Sequence, residues 1–323
     1  MQAGQAPFFE DLAVGQRFTG APAVTLSTGL AAAHQAITGD RLALMLDHEL
    51  CQRVTGGGPL ASPGLVWDVA IGQSTVVTQQ VKANLFYRGL AFQRLPRLGD
   101  TLGTTTEVVA LRQNRPRPER APTGLAALRI VTTDQHGAPV LDFWRCAMLP
   151  LRDAASRTGH ADDLDAIGQR GPADPARLVR GWQLAELPSP GPHPADLRAG
   201  DQIEVAGGDV VSSAPELARL TLNIAAVHHD ADAAGGRRLV YGGHTIGLAL
   251  AQAARSLPSL ITVAAWHSCD HLAPVYEGDT LHSTITVEQV DYLPDGGGLV
   301  HLRSAVRAAG RDVLDWRYVA ILG

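Results

Sequence analysis

The chain has 323 residues, a net charge of −5 and 45% hydrophobic residues. That is enough for a sizeable core and for two domains or one large fused unit. Thirty-four glycines and 20 prolines argue against a coiled coil or helical repeat, and without a basic tract nothing points to a nucleic-acid partner. Lys82 is the only lysine, so Schiff-base chemistry would have to use it. Cys51, Cys146 and Cys269 are far apart and odd in number, which gives no disulfide framework. The start carries no basic-then-apolar signal pattern, and no apolar run is long enough to span a bilayer. A cytoplasmic protein without a membrane partner is the expectation.

In chain order, "FEDLAVGQRF" at 9–18 precedes a polar stretch and then "DHELCQRVTG" at 47–56, a helical run after a turn. Three strands follow: "TLGTTTEVVALRQ" from 101, "TGLAALRIVTTDQHG" from 123 and "APVLDFWRCAMLPL" from 138, dense in Thr and Val. Residues 112–124, "RQNRPRPERAPTG", read as a mobile hairpin excursion, either a solvated turn or a phosphate-binding arginine patch. The polar, Gly- and Pro-rich segment 152–181 reads as a linker. Beyond it, "TIGLALAQAARSLP" from 245 gives a second helix. "TLHSTITVEQVDYL", "GLVHLRSAVRAAG" and "RDVLDWRYVAIL" give a second set of strands, with a turn at 295–298.

The two halves echo each other. Gly-Asp-Thr-Leu occurs at 99–102 and 278–281, an offset of 179. "PVLDFWR" at 139–145 is answered by "DVLDWRY" at 312–318, and "FEDLAVGQRF" more weakly by "PADLRAGDQIEV" at 194–205. Three matches in the same order indicate a duplicated unit. Because strands cluster after each helix, an α+β antiparallel meander packed on a helix fits better than βαβ alternation. The expected units are 1–151 and 182–323, joined by 152–181.

The densest chemistry lies in "TLNIAAVHHDAD" at 221–232. Zinc is disfavoured: His228, His229, Asp230, Asp232 and His244 match neither His-Glu-x-x-His nor Cys-x-x-Cys, and adjacent histidines in extended chain point to opposite sides. No Rossmann or P-loop glycine pattern and no Gly-x-Ser-x-Gly elbow occurs. What remains is a polar loop followed by a glycine-headed helix at Gly242 and Gly243. Unpaired N–H groups at such a helix start can hold a developing oxyanion, and glycine lets a ligand approach the backbone. His228 precedes that helix by about fifteen residues, suited to bring a base to the same pocket or simply to serve the structure.

These residues resemble the MaoC-like, or (R)-specific, enoyl-CoA hydratases, whose loop is of Asp-x-Asn-Pro-x-His-x-Asp type. "NIAAVHHD" fits it from Asn223 to Asp230, with Asn223 at the catalytic Asp, Ala225 and Ala226 at the Asn-Pro pair and His228 at the catalytic His. Gly243 matches the glycine at the start of the central helix. The first half carries a degraded copy: Asp40 stands at the acidic position, Met45 where histidine belongs, and "ASPG" at 61–64 at the glycine segment. The resemblance implies a double hotdog fold, two fused units each with a helix wrapped by an antiparallel sheet, and one competent site in the C-terminal half.

Within the family, "FFEDLAVGQ", "AITGDRLAL", "APVYEGDTLH" and the run through "GGRRLVYGGHTIG" look like the subgroup of mesaconyl-CoA (2-methylfumaryl-CoA) hydratases, or β-methylmalyl-CoA dehydratases. That likeness implies a hydro-lyase that reversibly hydrates a branched enoyl-CoA. His228 would act as general base, and Asn223, which does not titrate, would position the water. The Gly243 N–H would polarise the thioester carbonyl. Arg237 and Arg238, helped by Tyr241, Gly242 and His244, would bind the substrate and its free carboxylate. Asp40 would serve a turn or a salt bridge. No metal or other cofactor is implied, the partner is an acyl-CoA thioester, and a homo-oligomer is left open. The alternatives are a hydratase for itaconyl-CoA or straight-chain substrates, a non-catalytic acyl-CoA-binding hotdog protein, and a thioesterase.

Overall fold

The computed structural model describes residues 6–117, 120–169, 174–187, 191–294 and 296–323. In the first half, two short strands, β1 (Arg17–Phe18) and β2 (Val24–Thr25), lead into helices α1 (Thr28–Thr38), α2 (Ala43–Leu46), α3 (His48–Thr55) and α4 (Pro63–Gln73). Four long strands follow: β3 (Ala83–Phe92), β4 (Thr101–Gln113), β5 (Thr123–Thr133) and β6 (Pro139–Pro150). The second half repeats the plan with β7 (Gln202–Glu204), β8 (Asp209–Val210), α5 (Ala214–Leu220), α6 (Gly242–Ser256), β9 (Leu260–His271), β10 (Thr280–Tyr292), β11 (Gly298–Ala308) and β12 (Arg311–Leu322). Among the described residues no helix is long and apolar enough to cross a membrane.

All the long strands join one antiparallel sheet in the order β4-β5-β6-β3-β9-β12-β11-β10. Each half contributes four neighbours, and the β3–β9 pair is the seam, with Tyr87 opposite Cys269 and Ala91 opposite Ala265. The sheet wraps two central helices, α4 and α6, whose residues are almost wholly buried. This is the double hotdog architecture. The duplication survives at atomic level. Gln73 of α4 donates its amide to the Leu102 carbonyl, and Gln252 of α6 does the same to Leu281, again 179 residues on. In the Gly-Asp-Thr-Leu turns the Asp100 carboxylate accepts from the Arg97 N–H, and that of Asp279 from the Tyr276 N–H. Such caps fix the entry to β4 and β10.

The six strands expected after the helices form where the Thr- and Val-rich runs placed them. Two features differ. The run 47–56 does form a helix, α3, capped by Asp47 at its start and by left-handed Gly56 at its end. It lies in a side cluster with Val179, Leu184 and Ile261 rather than inside the sheet. The central helix of the first half is α4, started by the Ser62 hydroxyl and Pro63. Its sequence, PGLVWDVAIGQ, is buried on every side, so it has no polar stripe for a 3.6-residue period to reveal. The seam strands β3 and β9 also escape the pattern. β9 follows α6 after three residues and opens with seven consecutive buried ones, and such a run looks the same in helix and strand. In β3 the register shifts between Arg88 and Ala91, around left-handed Gly89.

Residues 152–169 pack along the first-half strands. The Asp162 carboxylate accepts the Leu111 N–H, and the Arg88 guanidinium donates to the carbonyls of Leu164, Asp165 and Ile167. Residues 118–119 of the arginine-rich excursion, 170–173 of the segment between halves and 295 of the glycine turn lie outside the described residues.

Candidate active site

A cavity of about 440 Å³ opens between the halves, within the usual range for small-ligand sites. The second half supplies Asn223, Ala225, Val227, His228, Leu239 to Gly242, Thr245 and His271 to Tyr276. The first supplies Ile71, Thr75, Val81 to Asn84, Tyr87 and Arg145. Most of the wall is apolar, and few polar groups converge on it.

The loop 221–230 owes its position to the first half. Gly72, in the last turn of α4, lies so close to the Thr221 carbonyl that any side chain there would collide with it. The Ile224 N–H donates to the Thr75 hydroxyl, and the Ala226 N–H to the Gln79 carbonyl. On the other side Gly247 of α6 lies against the Thr38 side chain at the end of α1. Each central helix thus carries a glycine that admits a close approach from the opposite half.

Within the docked loop the two histidines separate. His228 Nδ1 lies 2.9 Å from the Leu239 carbonyl. A carbonyl only accepts, so Nδ1 carries the proton and Nε2 of the neutral ring keeps a free lone pair. Nε2 has no hydrogen-bond partner among the described residues. Burial pushes the His228 pKa down to about 4, against a smaller opposing effect of the Leu239 hydrogen bond. The imidazole is therefore neutral at physiological pH. His229 turns the other way and donates from Nε2 to the Asn223 carbonyl at 2.6 Å, closing the loop on itself. Asn223 is buried, and its Oδ1 accepts from the Ala225 N–H at 3.0 Å. Among the described residues no group of three or more His, Cys, Asp or Glu side chains is placed to hold a metal ion.

The start of α6 meets the same cavity. Tyr241 occupies the cap position without a side-chain cap, so the first N–H groups lack helical partners. Gly242 is on the cavity wall, beside His271. Gly243 is one step deeper and abuts the Asp68 carboxyl and the Tyr241 ring. The Asp68 carboxyl behind this helix start is fully buried, which raises its pKa, and its Oδ2 lies 3.0 Å from His34 Nε2, which opposes that shift. Tyr241 is buried, donates its hydroxyl to the Asp68 carbonyl at 3.3 Å, and packs its ring against His228.

Other expected binding residues sit elsewhere. Arg237 and Arg238 are exposed and outside the cavity wall. Arg237 covers the Tyr276 ring at 4.1 Å, at the rim, and Arg238 pairs with Glu277. His244 is completely buried, lines no part of the cavity, and has both ring nitrogens unpartnered; burial lowers its pKa to about 4. The structure adds Arg145 and His271, which the sequence reading missed. His271, the last residue of β9, is half-buried, with its Nε2 enclosed and unpartnered and its pKa lowered to about 4 by desolvation. Arg145 was detectable: in "LDFWRCAML", Phe143, Arg145 and Ala147 recur at the strand period of two on the buried face.

The first-half counterpart is a separate pocket of about 260 Å³ lined by Asp40, Met45 and Ser62. Asp40 makes a turn rather than a salt bridge: Oδ1 accepts from the Leu42 N–H and Oδ2 from the Ser62 hydroxyl. Asp40 and Asn223 thus cap the same turn, Oδ1 to the N–H two residues on. Met45 stands five residues after one and His228 five after the other. The first half has the loop without its base.

A double hotdog with one such loop defines the class. The solved structure of a conserved hypothetical protein from Mycobacterium tuberculosis, described as having a double hotdog fold, is 56% identical. It matches 98% of this chain and 99% of its own with a TM-score of 0.93. A putative MaoC domain protein dehydratase from Chloroflexus aurantiacus has the same fold, with a TM-score of 0.90 at 24% identity over 100% of this chain and 99% of its own. The β-methylmalyl-CoA dehydratase of C. aurantiacus is 29% identical over 287 residues, 85% of this chain and 80% of that protein. The mesaconyl-CoA hydratase of Cereibacter sphaeroides is 26% identical over 321 residues, 97% and 92% of the two chains. No family model matches. The chain belongs with the M. tuberculosis protein to one double-hotdog family, and it is similar over most of its length to hydratases and dehydratases of the MaoC-like kind.

Proposed function

We propose that this protein hydrates an enoyl-CoA thioester reversibly, and that mesaconyl-CoA, giving β-methylmalyl-CoA, is its substrate. The observation that carries the reading is the unpartnered Nε2 of a neutral His228, in the same cavity as the uncapped N-terminus of α6. The kinship to the two curated enzymes supports the substrate.

In the hydration direction, His228 Nε2 takes a proton from water as oxygen attacks the β-carbon. Asn223 holds that water by its amide. The thioester oxygen gains negative charge as the enolate forms, and the N–H groups of Gly242 and Gly243 stabilise it in a site of low dielectric. The imidazolium then returns the proton to the α-carbon, so one base serves both transfers. The nucleotide end of CoA leaves through the rim, where Lys82 and Arg237 offer positive charge to its phosphates.

The test is an acyl-CoA panel, followed as loss of the enoyl thioester absorbance: mesaconyl-CoA, itaconyl-CoA, crotonyl-CoA and longer straight chains. Mesaconyl-CoA should give the highest kcat/KM. Turnover of unbranched chains alone would overturn the substrate assignment. Release of free CoA would reveal a thioesterase, and binding without turnover of any member a non-catalytic acyl-CoA carrier.

A further inference from the structure

Among the described residues Arg145 is the one guanidinium on the cavity wall, and the mechanism above does not use it. It is 3% exposed and projects from β6 to the inner face of the sheet, where Phe143 and Ala147 are its buried neighbours along the strand. Nη2 donates to the Ser74 carbonyl at 3.2 Å and to the Thr78 hydroxyl at 2.6 Å, while Nε has no partner. These partners orient the fork but bring no charge. The ionisable groups that favour its charged form are Tyr87, Tyr241 and Cys146, not a carboxylate. A buried guanidinium cannot shed its proton, and an unbalanced buried charge is costly.

The duplication sharpens the point. Asp142 on β6 pairs with Arg129, and Asp315 on β12 pairs with Arg303 in the same cross-strand manner. Counting three residues on from each aspartate, Arg145 corresponds to Tyr318. Tyr318 is buried too, but it is neutral, stacked on Trp316 and hydrogen-bonded to Ser304. The same position therefore takes a phenol away from the cavity in one half and a permanent cation on the cavity wall in the other.

We propose that Arg145 is the specificity residue of this site and recognises a carboxylate on the acyl group of the thioester. The inference rests on the acyl-CoA reading above. A carboxylate accepts hydrogen bonds from a guanidinium fork in a fixed plane, so it supplies both the missing charge and the missing acceptor. An acyl group that ends in a methyl would leave the cation buried and unpaired, which gives discrimination by penalty as well as by attraction.

Two measurements test it, each with the wild type, Arg145→Met and Arg145→Lys, after circular dichroism and a melting curve have shown that the variants fold. The first is calorimetric binding of succinyl-CoA and butyryl-CoA, saturated thioesters that differ by the terminal carboxylate and need no turnover. The wild type should prefer succinyl-CoA by roughly tenfold or more, as expected of a charge-assisted bond. R145M should lose the preference and R145K should keep part of it. The second is the ratio of kcat/KM for mesaconyl-CoA to that for crotonyl-CoA, which should collapse in R145M. Equal affinity of the wild type for the two saturated thioesters, or a proportional loss on both enoyl substrates in R145M, would overturn the proposal. Absence of enoyl turnover with the succinyl preference intact would count against the hydratase reading and leave Arg145 as the carboxylate site.

Discussion

The loop bearing Asn223 and His228 depends on a hydrogen atom at position 72. In Gly72→Ala the new Cβ would lie 2.8 Å from the Thr221 carbonyl carbon and 3.1 Å from the Asn223 nitrogen, and would collide with the Thr221 oxygen. Carbon pairs rest at about 3.5–4.0 Å, so the backbone must retreat by roughly 1 Å. The neighbouring Ile224–Thr75 and Ala226–Gln79 bonds anchor that backbone to the first half, so the retreat strains them. Overpacking of this kind costs about 1–3 kcal/mol, and a 1 Å misplacement of reacting groups costs about 10²-fold in rate. G72A should therefore melt several degrees lower and hydrate its enoyl-CoA about a hundredfold more slowly at temperatures where it is folded. Gly247→Ala is the matched control. Its Cβ would meet the Thr38 methyl at 2.9 Å, on the side of the loop without a base. It should show a smaller loss of stability and a much smaller loss of rate. A folded G72A with undiminished kcat/KM, or equal rate losses in the two variants, would refute the claim that the first half positions the loop.

Stability should fall in mild acid. His228, His244 and His271 each have a folded pKa near 4 because burial disfavours the cation, against about 6.5 in the unfolded chain. Between those values the unfolded state binds more protons, so stability is fully present above pH 6.5 and declines as pH falls toward 4. Each group contributes on the order of 3 kcal/mol at the lower limit, with His228 and His271 not independent because they repel one another. Melting curves from pH 7.5 to 4.5 should show a steep descent below 6.5, and a flat profile would contradict the buried, neutral assignment. Asn223→Ala should lower kcat at least tenfold by losing the hold on water and on the Ala225 N–H, while Asn223→Asp, which keeps the Oδ1 acceptor, should retain more activity than Ala. Equal rates for the two variants would remove Asn223 from the water site.

What the sequence revealed follows from where polar and apolar residues alternate. Strands such as Thr101–Gln113 and Gly298–Ala308 have one buried and one wet face, so their period is visible. Helix α4 and the opening of β9 are enclosed on all sides, and enclosure erases period. The loop from Asn223 to Asp230 was readable because its spacing survives locally. Its dependence on Gly72, Thr75 and Gln79 was not, because these lie some 150 residues upstream and reach the loop only through the seam between halves. Neighbouring arginines in sequence, Arg237 and Arg238, stand out by proximity to the loop, while Arg145 carries only the subtler signal of a charge on the buried face of a strand. The cavity between halves also gives a physical reason for the first half to persist without a histidine: it builds part of the wall, Arg145 included.

The central claim is that Nε2 of His228 moves the proton. Histidine-to-alanine replacement at this position, assayed on mesaconyl-CoA by loss of the enoyl absorbance, tests it most directly. Among the described residues the His228 ring makes one hydrogen bond, to the Leu239 carbonyl, beside its contact with the Tyr241 ring, so H228A should fold and melt close to the wild type while kcat/KM drops about 10²–10⁴-fold, the usual contribution of a general base. A folded H228A that hydrates the substrate at the wild-type rate would contradict the account.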